Sequence, residues 1–335
     1  MNDNPLFLHG QLIRAIAPSY RYRGGDVKAW QESARAKLIG MLGMPKKNAP
    51  DDLQIEWTKQ QDGYTETRFT YQSEEGYRAL AHMLLPDGVE KPMPVICLQG
   101  HSKGMHISLG RPIYPGDAES IAGGRDFALQ AVRQGYAAFA LEQRGFGERG
   151  GTEKGPDCAL VSYTALLLGR TLLGERVFDM MRLVDVMENS FADRLNLSRI
   201  GITGNSGGGT TTFYAAAVDT RLSVAAPSCA FSTYYDSISV QLHCPCNYVP
   251  NLAQAFDMGD LAGLIAPRPL VVVSGLHDVI FPWEAARDQI EISRKVYTAL
   301  GASDRVKQLV GQEGHRYYPD LAWPEINRYM KEDAQ

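Results

Sequence analysis

The chain has 335 residues, 44% of them hydrophobic and 21% charged, enough to bury one large core or two ordinary ones. A net charge of -4 leaves no excess of Lys or Arg to neutralise phosphates, which argues against a nucleic-acid partner and for a small neutral or uncharged ligand. Five scattered cysteines (Cys97, Cys158, Cys229, Cys244, Cys246) give no disulfide framework, no basic leader opens the chain and no window approaches a membrane span, so a cytoplasmic protein without membrane contact is expected.

Residues 1–50 read as a helical extension, because the pattern over 30–44 is helical but too short to bury its own apolar face. It is expected to pack on the main body or on a second copy of the chain, which would make a homo-oligomer. Three strand-like segments follow. Leu53, Ile55 and Trp57 alternate with polar residues, 65–71 is rich in Thr and aromatics, and 78–85 ends at Pro86. They predict an antiparallel edge.

From Pro94 the rhythm changes to buried apolar runs at 95–98, 137–141, 200–203, 224–226 and 270–273, with a weaker one at 306–310. Helical patterns separate them at 125–134, 176–189, 207–218, 283–300 and 321–331. Short apolar strands alternating with helices predict a mostly parallel sheet covered on both faces, an α/β fold in one domain over 51–335. In 176–189, Val177, Met180, Met181, Val184 and Met187 recur at helical spacing and predict a core face. Three excursions, near 100–124, 145–174 and 228–266, leave strand ends. Since open α/β sheets bind ligands at the carboxyl ends of their strands, these should form the rim or cap of a site.

The segment Gly204-Asn205-Ser206-Gly207-Gly208 matches G-x-S-x-G, a weak signal by itself in a chain with 33 glycines. Context strengthens it. A short apolar strand precedes the serine and an Ala-rich helix follows, the strand-turn-helix of a nucleophile elbow, where small flanking residues permit a strained turn that exposes the hydroxyl. The competing reading is a glycine-rich turn that binds phosphate at the helix N-terminus.

A serine hydroxyl is a poor nucleophile and needs a base, and the base needs a partner that fixes its tautomer. In the α/β-hydrolase order of serine, acid, histidine, the 270–273 strand leads to Asp278 and the 306–310 strand leads to His315. Asp260 is the main rival acid, though it sits where a helix cap is more natural. His243 and His277 are rival bases: the first lies in an excursion and the second adjoins the acid. The oxyanion of an acyl-transfer intermediate needs two main-chain donors, expected from Gly207 and His101, with Ser102 one residue away.

Together with Val95-Ile96-Cys97-Leu98-Gln99-Gly100-His101, Arg144-Gly145-Phe146-Gly147-Glu148, Leu168-Gly169-Arg170-Thr171, His243-Cys244-Pro245-Cys246-Asn247 and the stretch from Asp260 to Asp278, the elbow resembles bacterial α/β hydrolases related to dienelactone hydrolases, the acetyl xylan esterase-like group. The likeness runs from about Asp52 to the C-terminus. It implies Ser206, Asp278 and His315 as the triad, deacetylation of short acyl esters and no metal or organic cofactor. Gln99 departs from the pattern, since such turns often carry His there, and the hydrogen bonds around the turn should differ accordingly. An amidase or a non-catalytic binding protein on the same scaffold is the alternative.

Arg144, His243 and Asn247 are substrate-contact candidates from their positions beside the site, with an ion-paired loop anchor as the other reading of Arg144. The Cys244-Pro245-Cys246 run is expected to stiffen a loop over the pocket. A zinc site needs three or four ligands, and no second cluster in the sequence completes one.

Overall fold

The computed structural model describes residues 4–332. Nine strands form one sheet: β1 (Gln54–Gln60), β2 (Tyr64–Glu74), β3 (Tyr77–Pro86), β4 (Pro94–Leu98), β5 (Ala137–Glu142), β6 (Ile200–Asn205), β7 (Leu222–Ser228), β8 (Leu270–Gly275) and β9 (Val306–Gly311). Their spatial order is β1-β2-β3-β5-β4-β6-β7-β8-β9. The pairs from β1 to β5 in that order are antiparallel, and all those from β5 to β9 are parallel.

Every predicted strand forms, and burial explains the change of rhythm at Pro94. β4, β5 and β6 are buried at every position, so their sequences have no solvent face to encode. Side chains still alternate between two cores. Ile96, Leu98, Phe139 and Leu141 enter one, while Val95, Cys97, Ala138 and Ala140 enter the other. β1 is exposed along nearly its whole length, an edge protected by charged residues such as Glu56 and Lys59.

The helices are α1 (Pro5–Ala15), α2 (Val27–Leu42), α3 (Asp117–Ser120), α4 (Phe127–Arg133), α5 (Ala159–Leu167), α6 (Leu172–Ser190), α7 (Gly207–Val218), α8 (Leu252–Ala255), α9 (Met258–Gly263), α10 (Trp283–Ala299) and α11 (Pro319–Lys331). Residues of α2, α6, α7, α9 and α10 fill the larger core; α4 and α11 cover the opposite face. The Met-rich stripe of α6 lies in the core as expected, with Met181 at its margin. The helix starts at Leu172, earlier than the periodicity implies, because Thr171 caps it by accepting from Gly174 N at 2.9 Å.

The extension packs on the main body through α2. Ala34, Leu38 and Leu42 are fully buried at a four-residue spacing. Arg35 adds hydrogen bonds to the carbonyls of Ala217 and Leu264. α1, a separate helix inside the expected helical extension, leaves Leu6, Phe7, Leu8 and Leu12 exposed. Among the described residues no helix is long and apolar enough to cross a membrane.

Candidate active site

The segments that leave the carboxyl ends of five neighbouring parallel strands, β4, β6, β7, β8 and β9, supply the site. After β6 the chain turns at Ser206, whose backbone sits at φ 53°, ψ -121°, a region that non-glycine residues avoid. Ser206 N donates to Ser228 O at 2.9 Å, and Thr210 N donates to Ser206 O at 2.7 Å, so the strained residue is tied to β7 and α7. The flanking glycines are required by space. A Cβ on Gly208 would lie 2.0 Å from Leu98 O, and one on Gly204 would lie 2.6 Å from the same oxygen.

Asp278 follows β8 and His315 follows β9. His315 Nδ1 and Asp278 Oδ2 are 2.9 Å apart, with Asp278 fully buried and His315 about one-fifth exposed. The other carboxylate oxygen accepts from Ile280 N at 2.8 Å and Phe281 N at 3.1 Å. Burial works to raise this carboxyl pKa, but the hydrogen bond and charge of His315, with the two backbone donors, outweigh it and hold it below its ordinary value. Asp278 is therefore an anion fixed against one imidazole nitrogen. The Phe281 ring stacks on the His315 ring at 6.1 Å and 19°, which limits how the imidazole can turn.

Ser206, Gly207, His101 and His315 line one cavity of about 390 Å³, together with Arg125, Asn205, Thr210, Leu242, His243, Cys244, Asn247, Ile280 and Phe281. Among the described residues the main-chain N–H groups of Gly207 and His101 donate to no protein acceptor, so both are free to bind an oxyanion. Gln99 holds this turn in place of the expected histidine. Its Oε1 accepts from Gly100 N at 3.0 Å, while its Nε2 donates to Ser108 Oγ at 3.1 Å.

The structure separates the remaining candidates. Asp260 closes a capping box at the start of α9, accepting from Asp257 N and pairing with Arg21, and so has no part in the cavity. His243 and Asn247 do line it. Burial, with the nearby charge of His101, lowers the His243 pKa to about 4, so its ring is neutral there. Arg144 corrects the substrate-contact expectation. Its guanidinium forks onto both oxygens of Asp179 at 2.8 Å, pairs with Glu74 at 2.8 Å and lies over the Tyr77 ring, a buried anchor outside the cavity.

Two features were missed from sequence. Arg125, the first residue after the 100–124 excursion and the head of the 125–134 helical pattern, lines the cavity, and among the described residues its guanidinium has no ion-pair or hydrogen-bond partner. Burial lowers its pKa, so the site holds a poorly solvated cation. The expectation that nothing completes the Cys244–Cys246 pair is also corrected. Cys158 and His101 join them, with the four potential ligand atoms all within 4.8 Å of one another. The sequence signal was a cysteine in each of two excursions and a histidine in the third.

The abhydrolase family model matches residues 9–215, which run from α1 through the elbow. YtaP of Bacillus subtilis (strain 168), a hydrolase by name only, is 30% identical over 247 residues, covering 71% of this chain and 78% of its own. Among solved structures, BF1801 of Bacteroides fragilis NCTC 9343, by name only an acetyl xylan esterase, has a TM-score of 0.82 at 19% identity over 99% of this chain and 96% of its own. A glucuronoyl esterase from Solibacter usitatus has a TM-score of 0.70 at 16% identity, covering 95% and 97%. At these identities the two structures establish a shared fold, which is the α/β-hydrolase fold expected from the sequence.

Proposed function

Because the chain belongs to the abhydrolase family, we propose that it is a serine carboxylic-ester hydrolase that removes short acyl groups, acetyl first among them, from small esters or acetylated saccharides. One observation carries the reading: the strained Ser206 turn opens into the same cavity as a His315 ring already bonded to a buried Asp278 carboxylate.

The chemistry follows from that arrangement. Ser206 Oγ attacks the ester carbonyl carbon while His315 Nε2 takes the hydroxyl proton, and Asp278 stabilises the imidazolium. The carbonyl oxygen becomes an oxyanion held by the N–H groups of Gly207 and His101. The C–O bond to the alcohol breaks, and His315 returns the proton to the departing alkoxide. Water then attacks the acyl-serine by the same route, releasing the acid and restoring Ser206.

The cavity is at the small end of ligand pockets, which supports a compact substrate. Arg125 supports a substrate whose alcohol side carries anionic or strongly accepting oxygens, because an unpaired cation in a desolvated wall is stabilised by such a group. Names among the structural neighbours, acetyl xylan esterase and glucuronoyl esterase, agree with saccharide esters. The test is direct. Ser206→Ala should abolish hydrolysis of p-nitrophenyl acetate and labelling by a fluorophosphonate, and labelling retained in that variant overturns the assignment.

A further inference from the structure

Beside the cavity, His101, Cys158, Cys244 and Cys246 bring one imidazole nitrogen and three sulfurs within 4.8 Å of one another, and His101 Nε2 lies 3.2 Å from Cys246 Sγ. We propose that this cluster is a structural Cys3His site for a single zinc ion, which clamps the three excursions around the cavity at one point.

Geometry and donor chemistry support one soft ion. Zn–S bonds of about 2.3 Å in a tetrahedron put sulfurs roughly 3.8 Å apart, within the spread of the cluster. Three thiolates and an imidazole select zinc over the hard cations that prefer oxygen. Four protein ligands leave no open position, so the ion would hold the structure and take no part in hydrolysis.

Charge supplies an independent argument. Arg176 is 2% exposed, and its guanidinium donates to Arg144 O at 2.9 and 2.6 Å and to Cys158 Sγ at 3.1 Å. Among the described residues no carboxylate pairs with it, although a buried cation without a counter-charge is costly. Three neutral thiols would leave that charge uncompensated. Three thiolates around Zn2+ carry a net charge of one minus, which matches a single guanidinium.

The placement gives the ion a purpose. His101 comes from 100–124, Cys158 from 145–174, and Cys244 and Cys246 from 228–266, so one ion cross-links all three segments. His101 also carries a proposed oxyanion N–H, and its ring packs against Gly207, where an added Cβ would lie 2.7 Å from the imidazole. Fixing that ring fixes the oxyanion turn, while Cys244 and Cys246 hold the loop that presents His243 and Asn247 to the cavity.

The test uses the full chain purified under reducing conditions without chelators. Elemental analysis should find one zinc per chain. Cobalt(II) exchanged anaerobically into the same protein should give the d–d bands of a tetrahedral ion and a thiolate-to-cobalt charge-transfer band. Cys158→Ser and Cys246→Ser should lose stoichiometric metal, whereas Cys97→Ala, whose sulfur lies in the core, should keep it. The wild-type cobalt spectrum decides the matter even where a serine variant fails to fold. A wild-type chain that takes up no cobalt, or that has a disulfide between Cys158 and Cys244 or Cys246 when purified anaerobically, overturns the proposal. None of these readouts depends on the esterase assignment.

Discussion

At the residue scale, catalysis should depend on one carboxylate that never touches substrate. Asp278 is fully buried, spends one oxygen on two backbone N–H groups and offers the other to His315 Nδ1. Asp278→Asn keeps the volume but replaces an acceptor with an amide that can favour the wrong imidazole tautomer. The expected result is a fall in kcat of roughly 10³–10⁴-fold on p-nitrophenyl acetate with KM nearly unchanged; a fall under about tenfold would assign the orienting role elsewhere. Arg125 tests the other end of the substrate. Arg125→Ala should raise KM for an acetylated sugar acid by roughly tenfold or more, the worth of one charge-assisted hydrogen bond, and leave KM for p-nitrophenyl acetate nearly unchanged. That Asp278 meets His315 beside the cavity that Ser206 lines was legible because strand, turn and order in the chain constrain these positions jointly. Arg125 was not, because it heads the 125–134 helical pattern, where spacing does not say that its side chain faces a site, and Arg144 stayed open between substrate contact and loop anchor because its partners Asp179 and Glu74 lie 35 and 70 residues away.

At the element scale, the elbow and the α2 helix make opposite demands on glycine. Gly208 sits where β6 passes into α7, and a Cβ there would meet the Leu98 carbonyl at 2.0 Å, an atom of a buried strand that cannot move aside. Gly208→Ala should cost roughly 3 kcal/mol or more of stability, by overpacking against backbone. Gly40 is exposed within α2 and meets nothing within 4 Å. Gly40→Ala should add about 0.5–1 kcal/mol through helix propensity and the lost freedom of the unfolded chain. Chemical denaturation of the two variants measures both signs, and a neutral Gly208→Ala would contradict the packing described for the elbow. The same physics decides what could be read in advance. The fully buried strands stood out as apolar runs, α10 showed a clear helical pattern, and α7, buried all round, was read from its Ala-rich run after the elbow. α5 stayed hidden because Leu160, Leu166 and Leu167 are exposed, so its apolar residues mark no single buried face. α1 was concealed as a separate helix for the same reason, with Leu6, Leu8 and Leu12 exposed on a short helix.

For the whole molecule, pH should act through opposed buried groups, and one substitution should separate them. Glu142, at the end of β5, is fully buried and accepts from Met105 N at 3.0 Å and Glu148 N at 3.4 Å, so it binds two of the excursions to the sheet. Burial pushes its pKa up from 4.5 to about 7, against the pull of those donors. Between these values the unfolded chain has released the proton and the folded chain has kept it. Folding stability therefore declines as pH rises through that window, by about 3 kcal/mol in all, and the loss is complete above pH 7. His82 has the opposite slope. Its pKa is lowered by burial despite the nearby Glu66, so the unfolded chain takes up a proton first as pH falls below 6.5, and stability is lost in that direction. The wild-type profile is consequently flattened by partial cancellation. Glu142→Gln removes its own slope and leaves those of the other buried groups, among them Asp257, whose burial raises its pKa to about 6, so the change of its stability with pH should be more positive than that of wild type from pH 4.5 to 7. The difference between the two proteins should be constant below about pH 4.5, grow by about 3 kcal/mol, and level off above pH 7. Any fixed loss from the altered hydrogen bonds shifts that curve without changing its shape. Denaturant titrations at half-unit pH steps measure the difference directly, and a difference independent of pH would show that Glu142 is ionised in the folded protein much as it is in water.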